Sequence, residues 1–172
     1  MLIIKNTGYM WHRKYVNWQN GSKLIGVSEV KECPAVNFAS QAGIYALYDK
    51  DFRCVYVGQA GRGETKGLYH RLKDHAIEDY LFCRWERFSW YGFYSVKSLE
   101  EGNYDKEFKV NTDVNEIMDV IESLIIQVNS PKLNMTRGSL AGVEWFYQKA
   151  EFEEQKAEYE QLKKICSSMK NK

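Results

Sequence analysis

Five side chains of this sequence combine residue type and spacing in ways that could do chemistry: Tyr45, Tyr56, Arg71, His75 and Glu122. The two tyrosines stand in two short β-prone runs, GIYALY at 43–48 and RCVYVG at 53–58, joined by the polar Asp49-Lys50-Asp51. Such alternation around a polar turn predicts a hairpin. A two-residue turn at Lys50-Asp51, or a four-residue turn from Asp49 to Phe52, gives one register. It sets Ile44 against Val57, Ala46 against Val55, and Tyr45 directly against Tyr56 with β-carbons ~5 Å apart. Gly43 then faces Gly58, leaving room for something to approach the backbone. Cross-strand tyrosines of this kind are ordinarily no more than a packed aromatic pair. Arg71 and His75 are four apart and share a helical face beside the Leu68/Leu72 stripe. A solvated arginine and a structural histidine are the ordinary reading, and a catalytic histidine is the other. Glu122 has Met118, Ile125 and Ile126 at helical neighbour positions, whereas Glu116, Asp119, Ser123 and Gln127 form the polar face. A carboxylate in apolar surroundings needs a partner, such as Arg71, a metal ion, or both.

The elements that must position these residues follow from periodicity. A helix is predicted over 68–81 from Leu68, Leu72 and Ala76, preceded by the glycine-rich stretch Gly61-Arg62-Gly63-Glu64-Thr65-Lys66-Gly67. A third strand is predicted over the aromatic run 87–96, followed by a polar loop over 98–112. A second helix starts after Asp113, with Glu116 at the capping-box position, and ends at Ser130-Pro131. Its core stripe is read as Val114, Ile117, Met118, Ile121, Leu124 and Ile125. A final helix is predicted over 143–169. Residues 1–40 read as short strands or an extended arm, in which His12, Arg13 and Lys14 interleave with Trp11, Tyr15 and Trp18.

With 172 residues, 44% hydrophobic and 27% charged, the chain suits one soluble domain, and its 15% aromatic content excludes a disordered or low-complexity class. No apolar run approaches the ~20 residues of a membrane span, and the start is no signal peptide, so a cytoplasmic protein is expected. Cys33, Cys54, Cys83 and Cys166 lack zinc-like pairing and read as reduced thiols. Net charge is only +1, but residues 1–75 carry eleven Lys or Arg against six acids, while 78–122 carry five against eleven. A basic half opposite an acidic one suggests a polyanion-facing surface.

Taken in order, Gly43-Ile44-Tyr45, Tyr56-Val57-Gly58, Arg71 with His75 in RLKDH, Glu122 in IESLIIQ and Asn134 in SPKLN resemble the motifs of the GIY-YIG nuclease superfamily. The similarity covers about residues 41–135, and AGIYALY, YVGQA, LYHRLKDH and ESLIIQ look most like its type II restriction endonucleases. Two departures are Val57 in place of the usual isoleucine, and a long glycine-rich connection from Gly58 to Arg71.

The resemblance implies an α+β fold: a small three-stranded antiparallel sheet flanked by helices, with an extended N-terminal arm over 1–40, a nuclease core over 41–137 and a C-terminal helix within 138–172. It implies DNA as substrate and Mg²⁺ (or Mn²⁺) as cofactor, held by Glu122. Tyr45 would activate water, Tyr56 orient the phosphate or water, Arg71 bind the phosphate, His75 accept a proton and Asn134 steady the geometry. Gly58, Arg62, Lys66 and Lys73 would contact substrate. The alternative is a noncatalytic nucleic-acid-binding module on the same fold, and an RNA or protein target is a third possibility. A weak heptad in the final helix, with Phe152, Tyr159 and Cys166 alternating with Gln155, Leu162 and Met169, allows either packing on its own domain or a homodimer.

Overall fold

The computed structural model describes residues 4–19, 21–28, 35–61, 66–77, 81–98, 103–105, 114–129, 140 and 142–170, with backbone alone at 96–98, 103–105, 114–119, 122 and 170. Among the described residues the elements follow in the order β1 (Asn6–His12), β2 (Ile25–Val27), β3 (Val36–Asn37), β4 (Gly43–Tyr48), β5 (Cys54–Ala60), α1 (Leu68–Ile77), β6 (Arg87–Gly92), β7 (Ser95–Ser98), β8 (Asn103–Asp105), α2 (Val114–Asn129), β9 (Glu144–Gln148) and α3 (Lys149–Lys170), with a 3₁₀ turn at Arg13–Tyr15.

The expected three-stranded antiparallel sheet is replaced by a seven-stranded mixed sheet ordered β3-β2-β9-β1-β6-β4-β5, beside a separate β7–β8 pair. β1 runs parallel to β9, and the other pairings are antiparallel. The fold remains α+β, yet the supposed arm is its middle: β1 is the fourth of seven strands and buries Trp11. Residues 144–148 likewise form a strand where a helix start was expected. The aromatic alternation of Glu-Trp-Phe-Tyr-Gln explains this, since β9 buries Phe146 and Gln148 and turns Trp145 and Tyr147 outward. The run 87–96 splits into β6 and β7, and part of the expected loop 98–112 becomes β8.

Two apolar layers sandwich the sheet. Trp11, Phe38, Tyr45, Leu47, Phe88 and Trp90 pack under Leu68, Leu72 and Ala76 of α1. Ala46, Tyr48 and Tyr91 pack on the reverse side with Val128, and Val120 and Leu124 lie against them. Helix α2 therefore covers the face opposite α1. It also sits rotated from the expected orientation: Ser123 and Gln127 are buried, while Ile121 and Ile125 are about half exposed. VIESLIIQV offers two overlapping apolar stripes, and Val120–Leu124–Val128, at four-residue spacing, is the one that meets the sheet.

Candidate active site

The hairpin that carries both tyrosines differs from the expected register by two residues. Tyr45 pairs with Gly58 and Leu47 with Tyr56, and a bulge follows before Tyr48 pairs with Cys54. The cause lies in the turn and the bulge. Asp49 Oδ1 accepts the amides of Asp51 and Arg53, both at 2.9 Å, and Phe52 adopts a left-handed φ of 61°. This five-residue turn shifts the pairing by one residue, and the bulge beyond Tyr48–Cys54 adds the second. A shift of two keeps each side chain on its face, so Tyr56 lies diagonal to Tyr45, with ring centroids 6.1 Å apart. Gly43 faces Ala60, not Gly58. What approaches the backbone at Gly58 is the Tyr45 ring itself: a β-carbon there would collide with the Tyr45 hydroxyl and Cζ. Gly58 is thus the floor beneath the phenol.

Helix α1 supplies the partner. Its first amides are held by the chain just before β4, Leu68 N donating to Gln41 O and Tyr69 N to Ala39 O, each at 3.0 Å. Its last turn is tied down by Arg13, whose Nη2 donates to Ala76 O at 2.8 Å, and by Trp85 Nε1, which donates to His75 O at 3.3 Å. Pinned at both ends, the helix cannot rotate, and it delivers His75 Nε2 to within 2.7 Å of the Tyr45 hydroxyl. Both residues are buried, and the Tyr56 ring stands edge-on to His75 with centroids 4.8 Å apart. Burial pushes the Tyr45 phenol well above its ordinary pKa, and Tyr56 adds to the shift. The charge of Arg71 and its hydrogen bond pull the other way.

Arg71 lies toward solvent, 3.9 Å from Asp74, which also binds Lys66 Nζ at 2.9 Å. Asp74 was not singled out in the sequence, although its i+3 spacing from Arg71 was a usable signal. It gathers Lys66 and Arg71 on one side of the buried pair. Lys73 lies two positions from Arg71 on α1 and so projects from a different side of the helix. Tyr45, Tyr56, Gly58, Arg71, His75 and Lys66 are therefore brought together. Glu122 belongs to α2, on the reverse face of the sheet, and its side chain lies outside the described residues. Arg62 and Asn134 also lie outside them.

Of the basic and aromatic residues of 12–18, His12, Arg13, Tyr15 and Trp18 are half-buried and Lys14 is exposed. Besides holding Ala76, Arg13 donates to Trp85 O and stacks over the rings of Trp85 and Phe82. Trp18 stacks on Tyr69 and donates to Arg13 O. The sequence places Arg13 in a stretch of alternating basic and aromatic residues, and no pattern in it marks Arg13 and Trp85 as the two ties on α1.

Among the described residues, no three His, Cys, Asp or Glu side chains are grouped to hold a metal ion. Cys54, Cys83 and Cys166 are unpaired. No described helix is long and apolar enough to cross a membrane. Comparison of the chain with family models, with curated proteins and with solved structures finds no match.

Proposed function

We propose that this chain is a metal-dependent endonuclease that hydrolyses phosphodiester bonds in DNA, with the site chemistry of the GIY-YIG nucleases. The observation that carries the reading is the buried contact between the Tyr45 hydroxyl and His75 Nε2, with Arg71 acting on the same phenol. A noncatalytic module needs no such proton path in its interior.

The raised pKa of Tyr45 argues for a neutral phenol that relays a proton rather than a resident phenolate. Water attacking phosphorus gives its proton to the Tyr45 oxygen as the Tyr45 proton passes to His75 Nε2, while the opposite P–O ester bond breaks and the departing oxygen takes a proton from solvent. This requires the imidazole tautomer with its proton on Nδ1. Arg71, pointing to solvent beside this pair, neutralises charge on the scissile phosphate. Lys66, held by Asp74, adds a second cation near the same phosphate. Tyr56 packs against His75 and fixes its ring.

Magnesium commonly relies on one or two carboxylates and completes its shell with water and phosphate oxygens. By the resemblance, Glu122 is the carboxylate we assign to Mg²⁺ or Mn²⁺, which would supply charge neutralisation. Because α2 lies across the sheet from α1, the ion held by Glu122 would have to meet the phosphate at Arg71 around the β5 edge.

The test is cleavage of supercoiled plasmid by the purified chain with Mg²⁺, with and without EDTA, alongside Glu122→Gln. Cutting should require the metal, and Glu122→Gln should bind DNA normally without cutting it. Unchanged cutting by Glu122→Gln would remove that residue from the metal site. DNA binding without any cutting by the unaltered chain would favour the noncatalytic module.

A further inference from the structure

Helix α3 leaves the body of the protein soon after it begins. Its base is fastened where Arg87 Nη1 donates to Glu151 Oε1 at 3.1 Å and where Lys14 lies 3.6 Å from Glu154. From Phe152 to Met169 every residue is exposed. Among the described residues, nothing packs over this stretch of the helix. A stripe of Phe152, Tyr159, Leu162, Ile165 and Met169 faces water along a rod ~30 Å long. A single amphipathic helix gains too little by standing alone to justify such a stripe.

The flanks of the stripe say what covers it. With Phe152, Tyr159 and Cys166 at one seam position and Gln155, Leu162 and Met169 at the other, one flank carries Glu151, Glu158 and Ile165, and the other Lys156, Lys163 and Lys170. In a parallel, in-register pair the first flank of one helix meets the second flank of its partner, five residues on. Glu151 then faces the partner's Lys156, and Glu158 the partner's Lys163. An antiparallel pair would instead set like flanks together, lysine against lysine. Glu151 is already held by Arg87, so the Glu158 pair carries most of the selectivity.

We infer that α3 is a homodimerisation element in which two copies of this chain form a parallel, in-register two-stranded coiled coil. Both globular bodies are then at the same end of the coil. The inference rests on α3 alone and does not depend on the nuclease reading.

Cys166 provides the test. In the parallel pair the two Cys166 side chains share one layer at a separation a disulfide can span. In the antiparallel pair each faces the partner's Gln155, about 16 Å along the helix from the other Cys166. A full chain with Cys33, Cys54 and Cys83 changed to serine should oxidise to a covalent dimer under copper–phenanthroline, and Cys166→Ser should abolish it. The unaltered chain should sediment as two copies at micromolar concentration. Glu158→Lys should raise the dimer dissociation constant about 10-fold by replacing two attractions with two repulsions. Adding Lys163→Glu to the same chain should restore it. A single-copy mass for the unaltered chain throughout the micromolar range would overturn the inference. So would a dimer that does not cross-link through Cys166, or one indifferent to Glu158→Lys.

Discussion

At the scale of single residues, the proposed chemistry depends on how little freedom Tyr45 has. Its ring is fully buried, floored by Gly58 and capped by the imidazole of His75. Replacing Gly58 by alanine puts a methyl group where the phenol oxygen now lies. The backbone there is ordinary extended strand, so the strain falls on the tyrosine, which must swing away from His75. Gly58→Ala should cost ~1–3 kcal/mol of stability through overpacking. It should also cut the cleavage rate by at least ~10-fold, as a displaced proton relay does. Thermal melting and single-turnover plasmid cleavage measure the two effects. A stable variant with an unchanged rate would mean that Tyr45 need not sit where it does. Asp74 illustrates the opposite case, a polar residue whose value lies in the cations it gathers and not in reach of a substrate.

At the scale of elements, α1 is the positioning device, and its two ends are made by distant parts of the chain. Arg13 comes from just after β1, and its guanidinium holds the last turn of α1 through Ala76 O while also binding Trp85 O. Arg13→Ala should destabilise the fold by about 2 kcal/mol, because it leaves carbonyls without a charge-assisted donor. Arg13→Lys should recover little, since an ammonium cannot reproduce the planar fork. Urea unfolding decides; a loss well under 0.5 kcal/mol in both would show the contact to be incidental. Much about the elements was legible in the sequence. The alternation in GIYALY and CVYVGQA placed Tyr45 and Tyr56 on one face, and the four-residue spacing put Arg71 and His75 on one face of a helix. Registers and partners were less legible. The hairpin register depended on one Asp49 side chain, a left-handed Phe52 and a bulge, which no periodicity reports. The orientation of α2 was ambiguous because its apolar residues cover more than one stripe, and only contact with Tyr48 and Tyr91 chooses between them.

At the scale of the whole molecule, the sheet is built from both ends of the chain. β1 and β9 lie side by side although more than a hundred residues separate them, and Trp11 Nε1 donates to Phe146 O across that join. Short local patterns could not reveal this pairing, so residues 1–40 read as short strands or an extended arm, and only the short strands are found, built into the main sheet. The sandwich has a consequence in alkali. Tyr45, Tyr48 and Tyr91 are buried on its two faces, and burial raises the pKa of each phenol above its ordinary value of about 10. A raised folded-state pKa stabilises fully below the unfolded value and is lost as pH climbs toward the folded one, because the unfolded chain releases these protons first. Stability should therefore begin to fall near pH 10. Of the twelve tyrosines, these three should ionise only together with unfolding. Phenolate absorbance and circular dichroism followed on one pH series test it. Smooth ionisation of all tyrosines with the fold intact would contradict the burial. Tyr91→Phe should move the alkaline midpoint upward if it folds as tightly.

The central claim is that the buried Tyr45–His75 pair moves the proton in phosphodiester cleavage. Single-turnover cleavage of supercoiled plasmid by Tyr45→Phe, at saturating protein and with Mg²⁺ present, tests it most directly. The variant removes one hydroxyl and keeps the ring. The rate should fall by roughly 10²–10⁴-fold, the span of a lost general base, with DNA affinity and melting temperature little changed. Cleavage at the unaltered rate would contradict it.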